Sequence, residues 1–512
     1  MEYTSTLQNN IESLSYFIPE LLLTAVILIL VIVDMVLKKK NSPWTSFFAS
    51  GGLIIVFIAV LWQYKLGGRS IFLGGHSIFN NMLAVDPFAL YFKLLFLAST
   101  FLVVFLSIGS IELAGRPVGE YFTLLLTITL GMFLMASATN LITIFISIEL
   151  VSVTSFILAT YLKTRRRSSE AGLKYAIYGA FSSGLMLYGI SLIYGLTGTL
   201  NIYEIREVLS TTSPDKLTLF ISVLLILAGF GYKIAAVPFH FWAPDVYEGA
   251  PTPITALLSV GPKAAGFALL IRFFNVALVS GGSNGNSSEW FSLAGLDWPQ
   301  LLAVISAATM TLGNLIAIVQ NNIKRLLAYS SIAHAGYALM GTVLLSEQGI
   351  YATIFYLVVY YLMNVGAFLV VIVNQDLIGS ENINDYKGLA WRAPIPAVAM
   401  GVFLFSLTGL PPTAGFVGKF YLFAALIKGG TEYYWLAVVG IINSVISLYY
   451  YARILKSMFL ERVEKKESAV LTVSPYYVIL LAVLVIPTIL LGVYWAPLAD
   501  FAYNSVQFLR AL

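Results

Sequence analysis

Apolar stretches about as long as a bilayer is thick recur along the whole of this sequence. A transmembrane helix needs roughly 20 predominantly apolar residues, and fourteen such stretches can be marked between short polar connections. They are residues 17–37, 46–63, 83–108, 119–138, 140–162, 173–195, 217–240, 252–275, 300–319, 326–345, 349–374, 396–420, 432–457 and 475–497. The sequence therefore predicts an all-α polytopic membrane protein with about 14 transmembrane helices.

The composition agrees with this class and excludes several functions. Of the 512 residues 59% are hydrophobic and 11% are charged, whereas ordinary soluble domains carry about 25% charged residues. The net charge of +4 is too small to predict a nucleic-acid partner. The absence of cysteine excludes disulfides and cysteine-bound iron–sulfur clusters. The histidines His76, His240 and His334 stand far apart, so we expect neither haem nor a zinc site.

Basic residues in the short loops predict the orientation. In a model with fourteen spans, every cluster of Lys and Arg falls on the same side of the membrane, which the positive-inside rule assigns to the cytoplasm. The clusters are Lys38–Lys40, Lys163 with Arg165–Arg167, Lys324 with Arg325, and Lys456 and Arg462 with Lys465 and Lys466. Both termini are then expected on the outer side. No charged segment precedes the first apolar stretch, so no cleaved signal peptide is expected.

Proline and glycine interrupt two of the apolar stretches. One interruption is at Pro238 and the other at Gly409–Pro412, and each falls in the fourth helix of a set of five. Since five is an odd number, two such sets have opposite orientations, and paired broken helices mark the transport site in inverted-repeat folds. The alternative is that these residues are simply more frequent in membrane helices. The predicted organisation is an N-terminal three-helix segment (1–110), two inverted repeats (111–280 and 281–460) and a C-terminal transmembrane helix (461–512).

Five ionisable residues lie deep in apolar sequence, namely Glu149, Lys233, Lys263, His334 and Lys419. A charge at the bilayer centre costs about 2.5–3.5 kcal/mol or more, so each needs a reason. Buried lysines change protonation readily, particularly beside a carboxylate, and a row of them bridged by water can pass protons. The alternatives are snorkelling of the lysines, a structural ion pair for Glu149 and a hydrogen-bonded core position for His334. No nucleophile–base pair or phosphate-binding loop is recognisable, so the pattern predicts conduction and not covalent chemistry.

At these positions the sequence resembles the antiporter-like subunits of complex I, and most closely its subunit N. The resemblance extends over nearly the whole chain. The segments that carry it are Asn140–Leu150, Gly231–Lys263, Gly313–Gly336 and Leu407–Tyr421, with Pro19–Glu20 and Asp34 in the first span. The resemblance assigns Glu149 to the family's glutamate of the fifth helix and Lys233 to the lysine of the broken seventh. Lys263 matches the eighth-helix lysine, and Lys419 the lysine of the broken twelfth helix, where subunit M relatives carry glutamate.

The resemblance implies a proton-translocating subunit of a respiratory-type NADH (or other donor):quinone oxidoreductase, driven by quinone reduction elsewhere in the complex. No cofactor is then expected in this chain, and quinone, FMN and iron–sulfur clusters belong to partner subunits. The expected partners are other membrane-arm subunits, including further antiporter-like ones, in a bacterial inner membrane or alternatively a plastid thylakoid membrane. Two other functions stay open, a subunit of a multisubunit Na⁺(K⁺)/H⁺ antiporter and a stand-alone secondary transporter of a small solute.

Overall fold

The chain folds into a bundle of long helices. The computed structural model describes residues 2–37, 43–66, 76–281, 290–461 and 470–506. The helices are α1 (Glu2–Tyr16), α2 (Ile18–Leu37), α3 (Pro43–Leu66), α4 (Pro87–Gly109), α5 (Val118–Ser137), α6 (Leu141–Ala159), α7 (Arg166–Thr197), α8 (Ile202–Thr211), α9 (Lys216–Ile234), α10 (Trp242–Gly249), α11 (Thr252–Ala277), α12 (Trp298–Ile318), α13 (Ile323–Thr342), α14 (Glu347–Ile378), α15 (Pro394–Thr408), α16 (Ala414–Gly429), α17 (Tyr434–Leu455), α18 (Pro475–Val493) and α19 (Ala496–Val506). Two short antiparallel hairpins join β1 (His76–Ile78) to β2 (Leu83–Val85) and β3 (Val279–Gly281) to β4 (Trp290–Ser292).

Twelve helices of the described ranges are long and apolar enough to cross a membrane. They are α2 to α7, α9, α11, α12, α14, α17 and α18. The two other predicted spans hold α13, which begins with the basic residues Lys324 and Arg325, and the short pair α15 and α16. The all-α membrane fold is thus confirmed, although length and composition alone account for twelve spans and not fourteen. The basic positions Lys38–Lys40, Arg462, Lys465 and Lys466 lie outside the described residues.

Both predicted helix breaks are present. Helix α9 ends at Ile234, where Ala235 has a left-handed φ of 57°, and the chain becomes helical again at Trp242. Helix α15 ends in the same manner at Thr408, where Gly409 has a left-handed φ of 90°. The prolines that follow each end, Pro238 in the first break and Pro411–Pro412 in the second, lack the N–H that a continuing helix needs.

A repeated turn relates the two halves. Asn140 caps α6 and forms an isolated β-bridge with Asn201, which caps α8. Asn322 caps α13 and bridges in the same way to Asn382, which caps a 3₁₀ turn. The first bridge lies near the end of α11 that carries Arg272, and the second lies near its opposite end. The same local structure therefore occurs twice in opposite orientations, as inverted repeats require.

Helices α11 and α14 form the centre of the bundle. Every residue in the spanning window of α11 is buried, and 89% of the corresponding window of α14 is buried. They pack directly against each other. Polar residues on these two helices are therefore shielded from lipid, and their side chains must find partners inside the protein.

Candidate functional site: a row of buried charges

Lys233 lies in the last turn of α9, immediately before the first break, and is 1% exposed. Its Nζ donates to Ser152 Oγ at 2.9 Å. Glu149 lies one helical turn before Ser152 on α6 and accepts from the Ser183 hydroxyl of α7. Lys233 and Glu149 do not form a direct ion pair within 4 Å, but they are close enough to interact electrostatically. The two residues therefore lie near each other, and Ser152 is bonded to Lys233.

Lys263 is the second buried lysine and follows Pro262 inside α11. Its Nζ donates to the backbone oxygen of Ser331 at 3.0 Å and to Ser331 Oγ at 2.6 Å. Tyr360 of α14 donates to the same Oγ at 2.8 Å, and its ring stacks on His334 with centroids 5.1 Å apart. A serine and a tyrosine therefore connect Lys263 to the position of His334.

His334 is buried and has a partner at each ring nitrogen. Nδ1 is hydrogen bonded to the Tyr356 hydroxyl, and Nε2 lies 3.3 Å from the Tyr451 hydroxyl. Tyr451 also bonds Ser330 Oγ at 2.6 Å. These contacts fit both interpretations made from the sequence, since a relay and a satisfied core histidine each need hydrogen-bond partners.

Lys419 lies in α16, just after the second break, and is 4% exposed. Its Nζ donates to Thr408 O at 2.9 Å and to Ser444 Oγ at 3.0 Å, and it lies 4.4 Å from the centre of the Tyr337 ring. Thr408 ends α15, so its carbonyl is one of those that the break leaves without a helical donor. The lysine is held in the protein interior and does not snorkel to a membrane surface.

Each of the two helix breaks has a buried lysine close to it. The lysine lies within one or two turns of the break and is bonded to a serine of a neighbouring helix. Ser152 serves Lys233, and Ser444 serves Lys419. Lys233 precedes its break whereas Lys419 follows its break, so the two lysines are not equivalent positions of the inverted repeat although their polar contacts are similar.

A polar seam between α11 and α14 continues the row towards the basic end of the bundle. Ser259 lies one turn before Lys263 and accepts from Asn364 Nδ2 at 2.6 Å. Two turns further on, Thr252 donates to Gln375 Oε1 at 3.0 Å. All of these residues are buried except Gln375, which borders an open polar cavity of about 630 Å³. Residue periodicity alone did not identify this seam, although the hydroxyl spacing 252, 255, 259 on one helical face was visible.

Glu112, in the loop between α4 and α5, lines the same cavity. It accepts from the backbone N–H of Thr252 at 2.7 Å and from Arg165 at 2.6 Å. Burial raises the pKa of the Glu112 carboxyl, but the charges of Lys324 and Arg165 and the bonds from Thr252 outweigh burial and hold that pKa below its usual value. The carboxylate is therefore charged at neutral pH and ties the loop to the start of α11.

Two buried ion pairs were not expected from the sequence. Lys93 is 1% exposed, and its Nζ is 2.6 Å from Glu20 Oε1. Arg272 on α11 forms a bidentate pair with Asp86 at 2.7 and 3.1 Å. Both cations lie inside predicted spans, so the cost of a buried charge was the signal that could have found them.

The remaining histidines keep minor positions. His240 lies buried in the first break, and its Nδ1 has no hydrogen-bond partner in the described part of the chain. His76 lies in β1 and stacks on Tyr16. Within the described residues no group of three or more His, Asp and Glu side chains is arranged to hold a metal ion.

Comparisons with known proteins agree with this geometry. Residues 138–447 match the family model described as "NADH:quinone oxidoreductase/Mrp antiporter, TM". A protein of Chloroherpeton thalassium named NADH-quinone oxidoreductase subunit N 2 is 48% identical over 97% of this chain and 95% of its own length. A chain of respiratory complex I from Thermus thermophilus superposes with a TM-score of 0.75 and 28% identity, covering 94% of this chain and 98% of that one.

A chain of the Mrp complex from Dietzia sp. shares the fold, with a TM-score of 0.80 over 97% of each chain at 20% identity. An identity of 20% establishes only that the two chains share a fold. The relative from Chloroherpeton thalassium, which is 48% identical over 97% of this chain, indicates the group within the family. The chain therefore belongs to the NADH:quinone oxidoreductase/Mrp antiporter transmembrane family and, within it, to the subunit N proteins.

Proposed function

We propose that this chain translocates protons across the membrane as a subunit of an NADH:quinone oxidoreductase. The observation that supports the proposal best is the row of buried ionisable groups, from Glu149 through Lys233, Lys263 and His334 to Lys419. The hydroxyl groups of Ser152, Ser331 and Ser444 lie next to its lysines. This row extends from one broken helix to the other. Within the described residues it includes no group of side chains arranged to hold a metal ion.

The lysines suit a transfer that proceeds in steps. A lysine ammonium bonded to neutral oxygens has no fixed counter-ion, so its charge depends on its neighbours and on nearby water. Lys263 and Lys419 are in this state, since only neutral oxygens accept from their Nζ atoms within the described residues. A change of about 1.4 kcal/mol at such a group alters its charged population tenfold.

The energy for this transfer has to come from outside the chain. We propose that quinone reduction in partner subunits, which would hold the quinone, FMN and iron–sulfur clusters, changes the charge state near Glu149 and so moves protons along the row. The partners would be the other membrane-arm subunits, and the membrane a bacterial inner membrane. The basic clusters at Arg165–Arg167 and Lys324–Arg325 lie at one end of the bundle, which the positive-inside rule assigns to the cytoplasm.

The second candidate is a subunit of a multisubunit cation/proton antiporter, which the fold shared with the Mrp chain favours. Such a subunit would use the same row of charges without quinone chemistry. The two functions differ in what drives the protons, so purification of the native assembly with its companions separates them.

Proton translocation can be measured with the intact complex in inverted membrane vesicles. Glu149→Gln and Lys233→Ala should each lower the pH gradient formed per quinone reduced several-fold, while the complex remains assembled. Lys428→Ala, which removes an exposed cation at the far end of α16, serves as the control and should leave the gradient unchanged. If both test variants formed the full pH gradient, the row of buried charges would have no part in proton translocation.

A further inference from the structure

A groove opens at the periphery of the helix bundle, in the second repeat and away from the row of charges. It has a volume of about 900 Å³ and runs between α15 and α17. The α15 wall consists of Val398, Gly401, Val402 and Phe405. The α17 wall and the turn after it contribute Tyr449, Ala452, Leu455, Phe459 and Leu460. Several of these side chains are exposed apolar groups on a membrane-spanning surface, where acyl chains are the surrounding solvent.

The floor of the groove depends on one glycine. A Cβ atom built on Gly401 would clash with nothing and would touch only Leu455, at an ordinary contact distance of 3.9 Å. Helical glycines such as Gly366 and Gly415 differ, because there a Cβ would clash with a neighbouring helix. Close helix packing therefore explains why Gly366 and Gly415 are glycines. It does not explain Gly401, where the missing side chain leaves room for a ligand.

The mouth of the groove is basic. Arg453 and Lys456 are the charged residues of its lining. Two nitrogens of Arg453 donate to the carbonyls of Ile318 and Gln320 at the end of α12, while its Nε has no acceptor in the described part of the chain. Lys456 is 65% exposed, with a distant contact of 3.7 Å to Glu461. The mouth thus carries two cations whose positive charges are only partly neutralised by neighbouring groups.

Two features place this mouth at the level of the lipid headgroups. Trp391, on the turn just before α15, is 75% exposed, and tryptophans of this kind concentrate at the membrane–water interface. The backbone at the mouth is a π-helical turn over Lys456–Leu460, a geometry often found at functional sites. Basic pockets between transmembrane helices on the cytoplasmic side are suited to anionic lipid headgroups.

We propose that this groove binds an anionic phospholipid, with an acyl chain between α15 and α17 and the phosphate beside Arg453 and Lys456. The apolar walls alone would equally accept a helix of a neighbouring subunit. The basic mouth favours the lipid, because it offers charge complementarity to a phosphate at the depth where a phosphate lies. The site is separate from the proposed proton row, since none of the groove residues belongs to that row.

Photoreactive lipids test the proposal on the intact complex in membranes. The probes are phosphatidylglycerol and phosphatidylcholine that carry the same photoreactive acyl chain, and mass spectrometry identifies the labelled residues. We expect labelling at Val402, Phe405 and Tyr449, several-fold stronger with phosphatidylglycerol. Gly401→Leu should fill the groove and reduce this labelling several-fold. Gly195→Leu, at an exposed helical glycine with open space around it, should not.

The headgroup is tested with a second variant. Lys456→Gln should abolish the preference for phosphatidylglycerol while acyl labelling persists, and Lys428→Gln, at an exposed lysine of the opposite end, should preserve the preference. Equal labelling by both lipids in the unmodified protein would overturn the proposal. Absence of labelling by either lipid would show that another protein covers the groove, which also overturns it.

Discussion

Lys419 is the residue whose surroundings best define a test of the proton row. It donates to two neutral oxygens, Thr408 O and Ser444 Oγ, and lies over the Tyr337 ring. If it exchanges a proton, Lys419→Arg should impair proton translocation several-fold although the positive charge is kept, because arginine does not deprotonate in proteins. Lys419→Ala should impair translocation at least as much. Quenching of a pH-sensitive dye in inverted vesicles during quinone reduction measures both.

The arginine variant separates two roles for Lys419. A lysine that only supplies a fixed charge can be replaced by arginine without loss of translocation, whereas a lysine that releases protons cannot. Normal pumping by Lys419→Arg would therefore make Lys419 an electrostatic fixture. A blue native gel of the same membranes shows whether the complex is assembled.

The buried pair of Glu20 and Lys93 has a different role at the residue scale. Its atoms are 2.6 Å apart, and both side chains are almost completely buried. Removing one partner of such a pair typically costs about 3–5 kcal/mol, while replacing both by apolar residues can be neutral. Glu20→Leu and Lys93→Met should each lower the thermal stability of the assembled complex, and the double variant should recover most of it. The account would be contradicted if the double variant lost as much stability as the two single variants lose in sum.

The sequence identified the charged residues of the row because a charge in an apolar stretch is conspicuous. It did not identify Ser152, Ser331 or Ser444, because a serine in a membrane helix is common and can bond its own backbone. Which serines face a lysine depends on how helices pack, and packing is not periodic in one sequence. The same limit explains why Ser152, whose hydroxyl accepts from Lys233, was not predicted.

At the scale of elements, α14 provides the link between Lys263 and His334. Tyr360 donates to Ser331 Oγ, which also accepts from Lys263, and the Tyr360 ring stacks on His334. Tyr360→Phe should therefore slow proton translocation several-fold without loss of assembly, because the ring remains and only the hydroxyl is removed. Tyr361→Phe is a matched control, since the Tyr361 hydroxyl donates to Ala98 O on the other side of the helix. Equal translocation by the two variants would exclude the Tyr360 hydroxyl from the row.

The loop between α4 and α5 makes stability depend on pH through Glu112. Its pKa is lowered in the folded protein, so its contribution to stability is present above the ordinary glutamate pKa of about 4.3 and is lost as the pH falls through the lowered value. Glu112→Gln should therefore melt at a lower temperature than the unmodified protein at neutral pH. The difference in melting temperature should shrink as the pH falls below the pKa of a glutamate in the unfolded chain. A difference independent of pH would indicate lost packing and not lost charge.

Helix breaks were predictable at the element scale, whereas the central pair of helices was not. Proline and glycine act on the backbone locally, so Pro238 and Gly409 gave both breaks directly. That α11 and α14 form the core follows only from the complete bundle, because the hydropathy of both helices falls within the range shown by the outer spans. In lipid, hydrophobicity does not distinguish a buried helix from an exposed one.

At the scale of the whole molecule, the inverted repeat gives the two broken helices opposite orientations. The bridge of Asn140 with Asn201 and that of Asn322 with Asn382 lie at opposite ends of α11. Helix α9 begins and helix α16 ends at the end of α11 that carries Arg272, so Lys233 and Lys419 lie on halves of the broken helices that face the same end of the bundle. The polar seam between α11 and α14 leads from Lys263 to the opposite, basic end, so the row together with this seam can connect the two faces of the membrane without a continuous pore.

Orientation of the molecule in the membrane is the last quantity to be tested. The chain lacks cysteine, so a single introduced cysteine reports its own side without background. Arg166 and Lys428 are both exposed, the first at the basic end of the bundle and the second at the opposite end. With a thiol reagent that does not cross membranes, Lys428→Cys should be labelled in intact cells and Arg166→Cys only in inverted vesicles, because basic loops remain in the cytoplasm. Labelling of Arg166→Cys in intact cells would invert the topology and would place the proposed lipid headgroup and the Glu112 cavity on the outer face.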